Sequence, residues 1–246
     1  MFPESDIQWH IGCSGFYYKE WKELFYPKGL AQKNWFNYYC EHFNTLELNV
    51  TFYRFPELSF LQNWYQKSPP GFTFAVKAPR IITHHKVFNE TESLLAGFYR
   101  TIREGLQEKL GCVLFQFFSN VQFSEAFLSK VIRQLDPGLV NVLEFRHVSW
   151  WDPLVFERLA DHNIVFCGIS HPQLPNHVII NSHTVYYRFH GVPQLYYSPY
   201  PPEFLMQVMT EIKAHPGVQQ SFLYFNNTAQ GSAIMNAKYL LQQFVI

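Results

Sequence analysis

The sequence predicts an α/β protein, a single (β/α)8 TIM barrel that spans residues 1–246. Short β-rich runs alternate with longer helical patterns eight times, which favours parallel strands joined by right-handed crossovers. The length suits one closed α/β barrel, and no linker, internal repeat or low-complexity run indicates a second domain. A doubly wound sheet is the alternative. It is disfavoured because Gly12-Cys13-Ser14-Gly15 does not continue as the GxGxxG turn of dinucleotide-binding folds.

Eight strands are predicted along the chain. In order, they are Ile7–Ser14, Thr45–Val50, Thr73–Ala78, Cys112–Phe117, Val142–His147, Ile164–Ser170, Val185–His190 and Ser221–Phe225.

Seven helices are predicted between and after these strands, and the connection over residues 172–182 contains no convincing helix. The helices are Asn34–His42, Leu58–Lys67, Thr91–Lys109, Ser124–Leu135, Pro153–His162, Pro202–Ala214 and Ser232–Gln243. Several boundaries carry recognisable signals. Thr91 and Ser124 are predicted N-caps, Pro153 suits an early helical position, and Gly111 suits the end of a helix.

Composition limits the classes of partner. The chain has 19 Lys and Arg and 19 Asp and Glu, so no net charge attracts it to nucleic acid or to an anionic membrane. The four cysteines lie far apart and lack zinc-site spacing, which is typical of buried thiols in a reducing compartment. Residues 1–10 lack the features of a signal peptide, and no apolar run is long enough to span a membrane. These observations predict a cytoplasmic protein with no membrane partner.

Polar side chains recur at the carboxyl ends of the predicted strands, where barrel proteins place their active sites. They share the inward parity of their strands. Burying an unpaired charge costs several kcal/mol, so folding alone does not favour such a set. A single pair, such as Glu144 with Arg146 or Glu47 with Lys77, could be a packing-level ion pair, but the whole set predicts a site. Its members are Ser14, Glu47, Asn49, Lys77, Gln116, Glu144, Arg146, Ser170, Arg188, His190 and Asn226.

Four other histidines have weaker claims to a role at this site. His10 is predicted to be a core histidine whose hydrogen bonds are satisfied. His84 and His85 are adjacent, so their side chains point apart and at most one of them faces the pocket. His147 points outward by parity.

Seven stretches of the chain, taken in order, match a known family. They are IGCSGFYYKEWKELFYP, TLELNVTFYRFP, FTFAVKAPRIITHH, LGCVLFQF, LEFRHVSW, YYRFHG and FLYFNNTAQGSAIMNA. The chain thus resembles the YecE-like family of unknown function over nearly its full length. The resemblance implies a (β/α)8 barrel whose polar pocket contains Glu47, Asn49, Tyr53, Lys77, Gln116, Glu144, Arg146, Arg188, His190 and Asn226. It implies no particular reaction, so function has to be argued from the site.

The chemistry of this set favours an enzyme, a hydrolase or isomerase, that acts on a small polar or anionic substrate bearing a sugar or phosphate. Lys77, Arg146 and Arg188 would bind the anionic group. Glu47 or Glu144 would act as the base and His190 as the acid. The residues predicted to bind substrate are Ser14, Asn49, Tyr53, Lys77, Gln116, Arg146, Arg188 and Asn226. No metal ligand is assigned and no cofactor is clearly implied, although a divalent metal stays open.

Two alternatives remain at this point. One is a nuclease-like barrel that binds nucleic acid or a phosphodiester, with aromatic side chains stacking on bases. The other is a non-catalytic protein that binds a small anion. The oligomeric state is not predicted.

Overall fold

The computed structural model describes residues 7–244, which include every predicted strand and helix. The first six residues, on which the expectation of no signal peptide partly rests, lie outside the described residues. The chain divides into two units, and the division falls within one strand. The first unit contains the segment up to Leu46 and the segment from Cys167 onward, and the second unit is Glu47–Phe166.

The second unit alternates strands and helices in the predicted way. Its elements are β2 (Thr45–Leu48, shared with the first unit), α2 (Val50–Tyr53), α3 (Leu58–Lys67), β3 (Thr73–Lys77), α4 (Glu92–Leu106), β4 (Leu110–Gln116), α5 (Glu125–Gln134), β5 (Asn141–Glu144), α6 (Pro153–Ala160) and β6 (Val165–Phe166). The strand order is β2-β3-β4-β5-β6. The pairs from β3 to β6 are parallel, and Gln116 lies beside Glu144 in the register of β4 and β5.

The first unit continues the same pattern. Its elements besides β2 are β1 (Gln8–Ser14), α1 (Trp35–Cys40), β7 (Gly168–Ser170), β8 (Thr184–Phe189), α7 (Pro202–Lys213), β9 (Gln220–Phe225) and α8 (Ser232–Gln242). The strands β1, β9, β8 and β7 are neighbours in this order, and all of these pairs are parallel. The fold class is therefore the predicted one, α/β with (β/α)8 barrel connectivity.

Some local features differ from the prediction. The predicted sixth strand is interrupted at Cys167, so it becomes β6 and β7 and the strands number nine among the described residues. β2 and β5 end earlier than predicted, at Leu48 and Glu144. A short helix, α2, and a π-helical turn over Ile81–His85 were not predicted. The segment over residues 172–182 contains no helix, as expected.

The predicted helix caps are partly correct. Ser124 Oγ accepts a hydrogen bond from Phe127 N at 3.3 Å, and α5 begins at the next residue as expected. Thr91 also precedes its helix, but it makes no capping hydrogen bond. Its hydroxyl donates to Gln134 Oε1 at 2.7 Å instead, because α5 supplies an acceptor close by.

The structure bears on two further expectations, the buried thiols and the lack of a membrane span. All four cysteines are free thiols, and three of them are buried. None of the helices between residues 7 and 244 is long and apolar enough to cross a membrane.

Candidate functional site

Three consecutive strands of the second unit end in polar residues that lie together. Lys77 is the last residue of β3, Gln116 of β4 and Glu144 of β5. Lys77 Nζ donates a hydrogen bond to Gln116 Oε1, and Gln116 is the register neighbour of Glu144. The carboxyl ends of parallel strands lie at one edge of the sheet, so side chains that face inward at these ends lie close together.

Arg146 adds a second cation to this edge. It lies two residues beyond β5, and its Nε donates to Glu144 Oε1. The Glu144 side chain is completely buried and that of Arg146 is 10% exposed. The ion pair that the sequence allows between these residues is therefore present. It holds the guanidinium at the strand ends.

The short helix α2 brings aromatic rings to the same edge. The Thr51 hydroxyl lies 2.6 Å from Lys77 O and 2.9 Å from Leu48 O, so it ties the first turn of α2 to the end of β3. As a result, Lys77 Nζ lies 4.3 Å from the centre of the Phe52 ring. Tyr53, the next residue, is 69% exposed and has the Arg80 guanidinium 5.9 Å from its ring centre.

His84 also lies at this edge, although it was not among the predicted catalytic residues. Its ring lies 4.8 Å from Phe52 and 3.7 Å from Phe118, measured between ring centres. Its Nδ1 is 2.7 Å from the Thr83 hydroxyl. His85, by contrast, is exposed, in agreement with the prediction that at most one of this pair faces the site.

The electrostatic surroundings of His84 are positive. Burial lowers the pKa of His84, and the charges of Lys77, His85, Arg80 and Arg146 lower it further, to about 4. The imidazole is therefore neutral at pH 7. Lys77, Arg80 and Arg146 carry the positive charge, and together with the neutral His84 they are called the cationic cluster below.

The first unit carries a second polar group at its strand ends. Ser14 ends β1, while His190 and Asn226 directly follow β8 and β9. Arg188 Nη1 lies 3.4 Å from His190 Nε2, and Arg188 Nη2 lies 3.5 Å from Ser14 Oγ. Asn226 Nδ2 is 2.8 Å from His190 Nδ1.

The tautomer of His190 follows from its neighbours. A guanidinium can only donate hydrogen bonds, so its position favours a lone pair on His190 Nε2 and a proton on Nδ1. A rotation of the Asn226 amide that turns its oxygen toward Nδ1 would provide the acceptor for this proton.

Burial separates the predicted site residues into two groups. Ser14, Glu47, Glu144, Arg188 and His190 are at most 1% exposed. Asn49, Lys77, Gln116, Arg146, Asn226 and above all Tyr53 have accessible surface. Residues of the second group can touch a ligand directly. Residues of the first group have almost no accessible surface.

Two other histidines have structural roles. His10 is buried and stacks on Phe222 with 4.3 Å between ring centres. Its Nδ1 makes no hydrogen bond within the described part of the chain, so the prediction of a satisfied core histidine is wrong for this atom. Burial lowers the pKa of His10 to about 4. His147 Nδ1 accepts a hydrogen bond from Ser149 N at 3.2 Å and so caps the turn Val148–Trp150.

Sequence reasoning missed Phe52, Arg80 and Phe118, and it left open whether His84 or His85 faces the site. The doublet His84-His85 directly after β3 was the available signal, but its sequence could not show which ring turns inward. Among residues 7–244, no group of three or more His, Cys, Asp and Glu side chains is arranged to hold a metal ion.

Comparisons with known proteins support the fold. Residues 10–246 match the family model described as protein of unknown function DUF72. The chain is 26% identical to the UPF0759 protein YunF of Bacillus subtilis (strain 168), over 95% of this chain and 93% of that protein. It is also similar to the crystal structure of a DUF72 family protein from Thermotoga maritima MSB8, with 27% identity, a TM-score of 0.87, and 97% and 100% of the two chains covered.

A DUF72 family protein from Enterococcus faecalis V583 has a TM-score of 0.82 at 17% identity, with 97% of this chain and 96% of that chain covered, and supports the fold alone.

Proposed function

We propose that this chain, which belongs to the DUF72 family of proteins of unknown function, is an enzyme that binds a small anionic substrate at the cationic cluster. The observation that carries the proposal is the position of Lys77 at the end of β3 and of Arg146 just beyond β5, on either side of β4, where both charges act on the His84 imidazole. The substrate would carry a phosphate, as a sugar phosphate does, or another small anionic group.

The cationic cluster suits an anion for electrostatic reasons. Hydrogen bonds from a charged donor to an anion are about twice as strong as neutral ones. Arg146 offers a planar guanidinium whose Nε is already oriented by Glu144, and Lys77 offers an ammonium oriented by Gln116. Because these side chains are positioned before a ligand arrives, less conformational entropy is lost on binding.

Anion binding would also activate His84. The cations that lower the pKa of this histidine act less strongly on it once an anion offsets their charge. The pKa of His84 therefore rises when the anion binds, which makes the ring a better proton acceptor in the complex than in the free protein.

The remaining roles are those that the sequence predicts. Glu47 or Glu144 acts as the general base, His190 acts as the acid, and Ser14, Asn49, Tyr53, Gln116, Arg188 and Asn226 bind or orient the substrate. A hydrolase or isomerase fits these groups. The same proposal includes membership of the narrower YecE-like group and a single domain over residues 1–246. It also includes a cytoplasmic location, which the free cysteines favour.

A thermal-shift screen against sugars, sugar phosphates, nucleotides, oligonucleotides and divalent metals tests the proposal. A ligand that binds only the folded state raises its melting temperature. We expect phosphate-bearing small molecules to raise it. Lys77→Met should weaken their binding about 10- to 100-fold, because one charge-assisted hydrogen bond contributes about 1.5–3 kcal/mol.

Lys130→Met is the matched control, since Lys130 also bonds an amide oxygen, Asn89 Oδ1 at 2.8 Å, and lies 5.3 Å from a phenylalanine ring centre. Equal losses in the two variants would place the ligand elsewhere. Stabilisation by oligonucleotides or metals alone would favour the nuclease-like alternative. Binding without any turnover would favour the non-catalytic one.

A further inference from the structure

Four aromatic rings form a continuous row along the cationic cluster. Tyr53 contacts Phe52 with 5.1 Å between ring centres, Phe52 contacts His84 at 4.8 Å, and His84 contacts Phe118 at 3.7 Å. Each contact is edge-to-face, with interplanar angles from 65° to 88°. Successive rings are therefore held at steep angles to each other by direct packing.

The two ends of this row are exposed. Tyr53 and Phe118 are 69% and 49% exposed, whereas Phe52 and His84 between them are partly covered. A scattered exposed aromatic residue needs no explanation. Here, however, Tyr53 contacts Phe52, which packs against Lys77 of the cationic cluster, and Phe118 contacts His84, which belongs to the cluster.

Positive charge and aromatic surface alternate along the row. Lys77 Nζ lies over Phe52 and the Arg80 guanidinium lies over Tyr53. His84, whose pKa is lowered by burial and then by four basic side chains, contacts Phe118. A surface of this kind recognises two features of one molecule: an anionic group, through the cations, and a flat ring, through the exposed rings.

The backbone at both ends of the row is fixed. Thr51 ties the start of α2 to the end of β3, and Phe118 begins a turn in which Val121 N donates to Phe118 O at 3.2 Å. Phe118 also lies two residues beyond Gln116, the hydrogen-bond partner of Lys77. The exposed rings are thus held close to the anion-binding groups before any ligand binds.

We propose that Tyr53 and Phe118 are specificity residues that stack against a flat ring carried by the anionic substrate. The substrate class is then an aromatic or heteroaromatic compound bearing a phosphate or similar anion, rather than a bare sugar phosphate. This inference rests on the proposed function, because it assumes that the anionic group binds the cationic cluster.

The test compares inorganic phosphate with phenyl phosphate by isothermal titration calorimetry on the full chain. The wild-type protein is expected to bind phenyl phosphate about tenfold more tightly, which is a modest gain for one stacked ring. Tyr53→Ala and Phe118→Ala should each remove most of this gain, and Phe118→Ala should change the affinity for inorganic phosphate by less than about twofold. Tyr53→Phe keeps the ring and should keep the gain.

Phe60→Ala is the control variant. Phe60 lies on α3, is 37% exposed and packs edge-to-face on Trp64, but it contacts no member of the cationic cluster among the described residues. The replaced side chains are exposed, so the variants are expected to fold, which circular dichroism checks. Equal affinity of the wild type for both ligands, or a gain that survives both alanine variants, overturns the inference and leaves the proposed function intact. Failure of both ligands to bind overturns the proposed function and the inference together.

Discussion

Glu144→Leu is expected to lower the free energy of unfolding by about 3–5 kcal/mol, which is the usual cost of breaking a buried ion pair by removing one partner. Glu144 is completely buried and accepts a hydrogen bond from Arg146, whose side chain is only 10% exposed. Leucine would leave the guanidinium without this carboxylate in a largely dry environment. Urea unfolding followed by circular dichroism measures the loss.

The double variant Glu144→Leu with Arg146→Leu provides the comparison. Removing both charges removes the desolvation penalty together with the attraction, so we expect much of the lost stability to return. The exposed pair Arg54–Glu57 is the control, and Glu57→Leu should change stability little because water screens that pair. If the double variant is less stable than Glu144→Leu alone, the ion pair is not the source of the effect.

Stability is expected to fall by about 3 kcal/mol between pH 7 and pH 4 because of His10 alone. The pKa of His10 is about 4 in the folded protein, against an ordinary value of 6.5 for an unfolded chain. Above pH 6.5 neither state holds the proton. As the pH falls below 6.5, the unfolded state takes up a proton that the folded state does not, so the unfolded state is favoured until the pH approaches 4.

His10→Phe should remove this part of the pH dependence. Phenylalanine keeps an aromatic ring against Phe222 and removes Nδ1, which has no hydrogen-bond partner among the described residues, so stability at pH 7 should be kept or slightly raised. Urea unfolding at several pH values between 4 and 7 gives the slope for each protein. His162→Phe, at an exposed position, is the control. A slope in His10→Phe as steep as that of the wild type would show that other groups cause the pH dependence.

The sequence predicts the strands and their polar ends well because both depend on local patterns. Lys77, Gln116 and Glu144 alternate with apolar residues within their own strands, so their shared parity can be read without knowing the neighbouring strands. The structure brings Lys77 and Gln116 into hydrogen-bond contact and places Gln116 beside Glu144, which follows from that parity.

The features that the sequence could not predict depend on tertiary contacts. The helix α2 is only four residues long and is tied down by the bond from Thr51 to Lys77 O, 26 residues away. The inward turn of His84 depends on its packing against Phe52 and Phe118, which belong to two other segments. The unbonded Nδ1 of His10 could not be foreseen, because a sequence shows burial through periodicity but does not show which polar atoms find partners.

The pKa of His84, measured by NMR of its imidazole nitrogens with and without inorganic phosphate, tests anion binding at the cationic cluster most directly. In the free protein this pKa is expected near 4, and Lys77→Met should raise it because one positive charge is removed. Saturating phosphate should raise it in the wild-type protein, since the anion offsets the charges of Lys77, Arg80 and Arg146. A pKa of His84 that does not change with phosphate would contradict anion binding at this site.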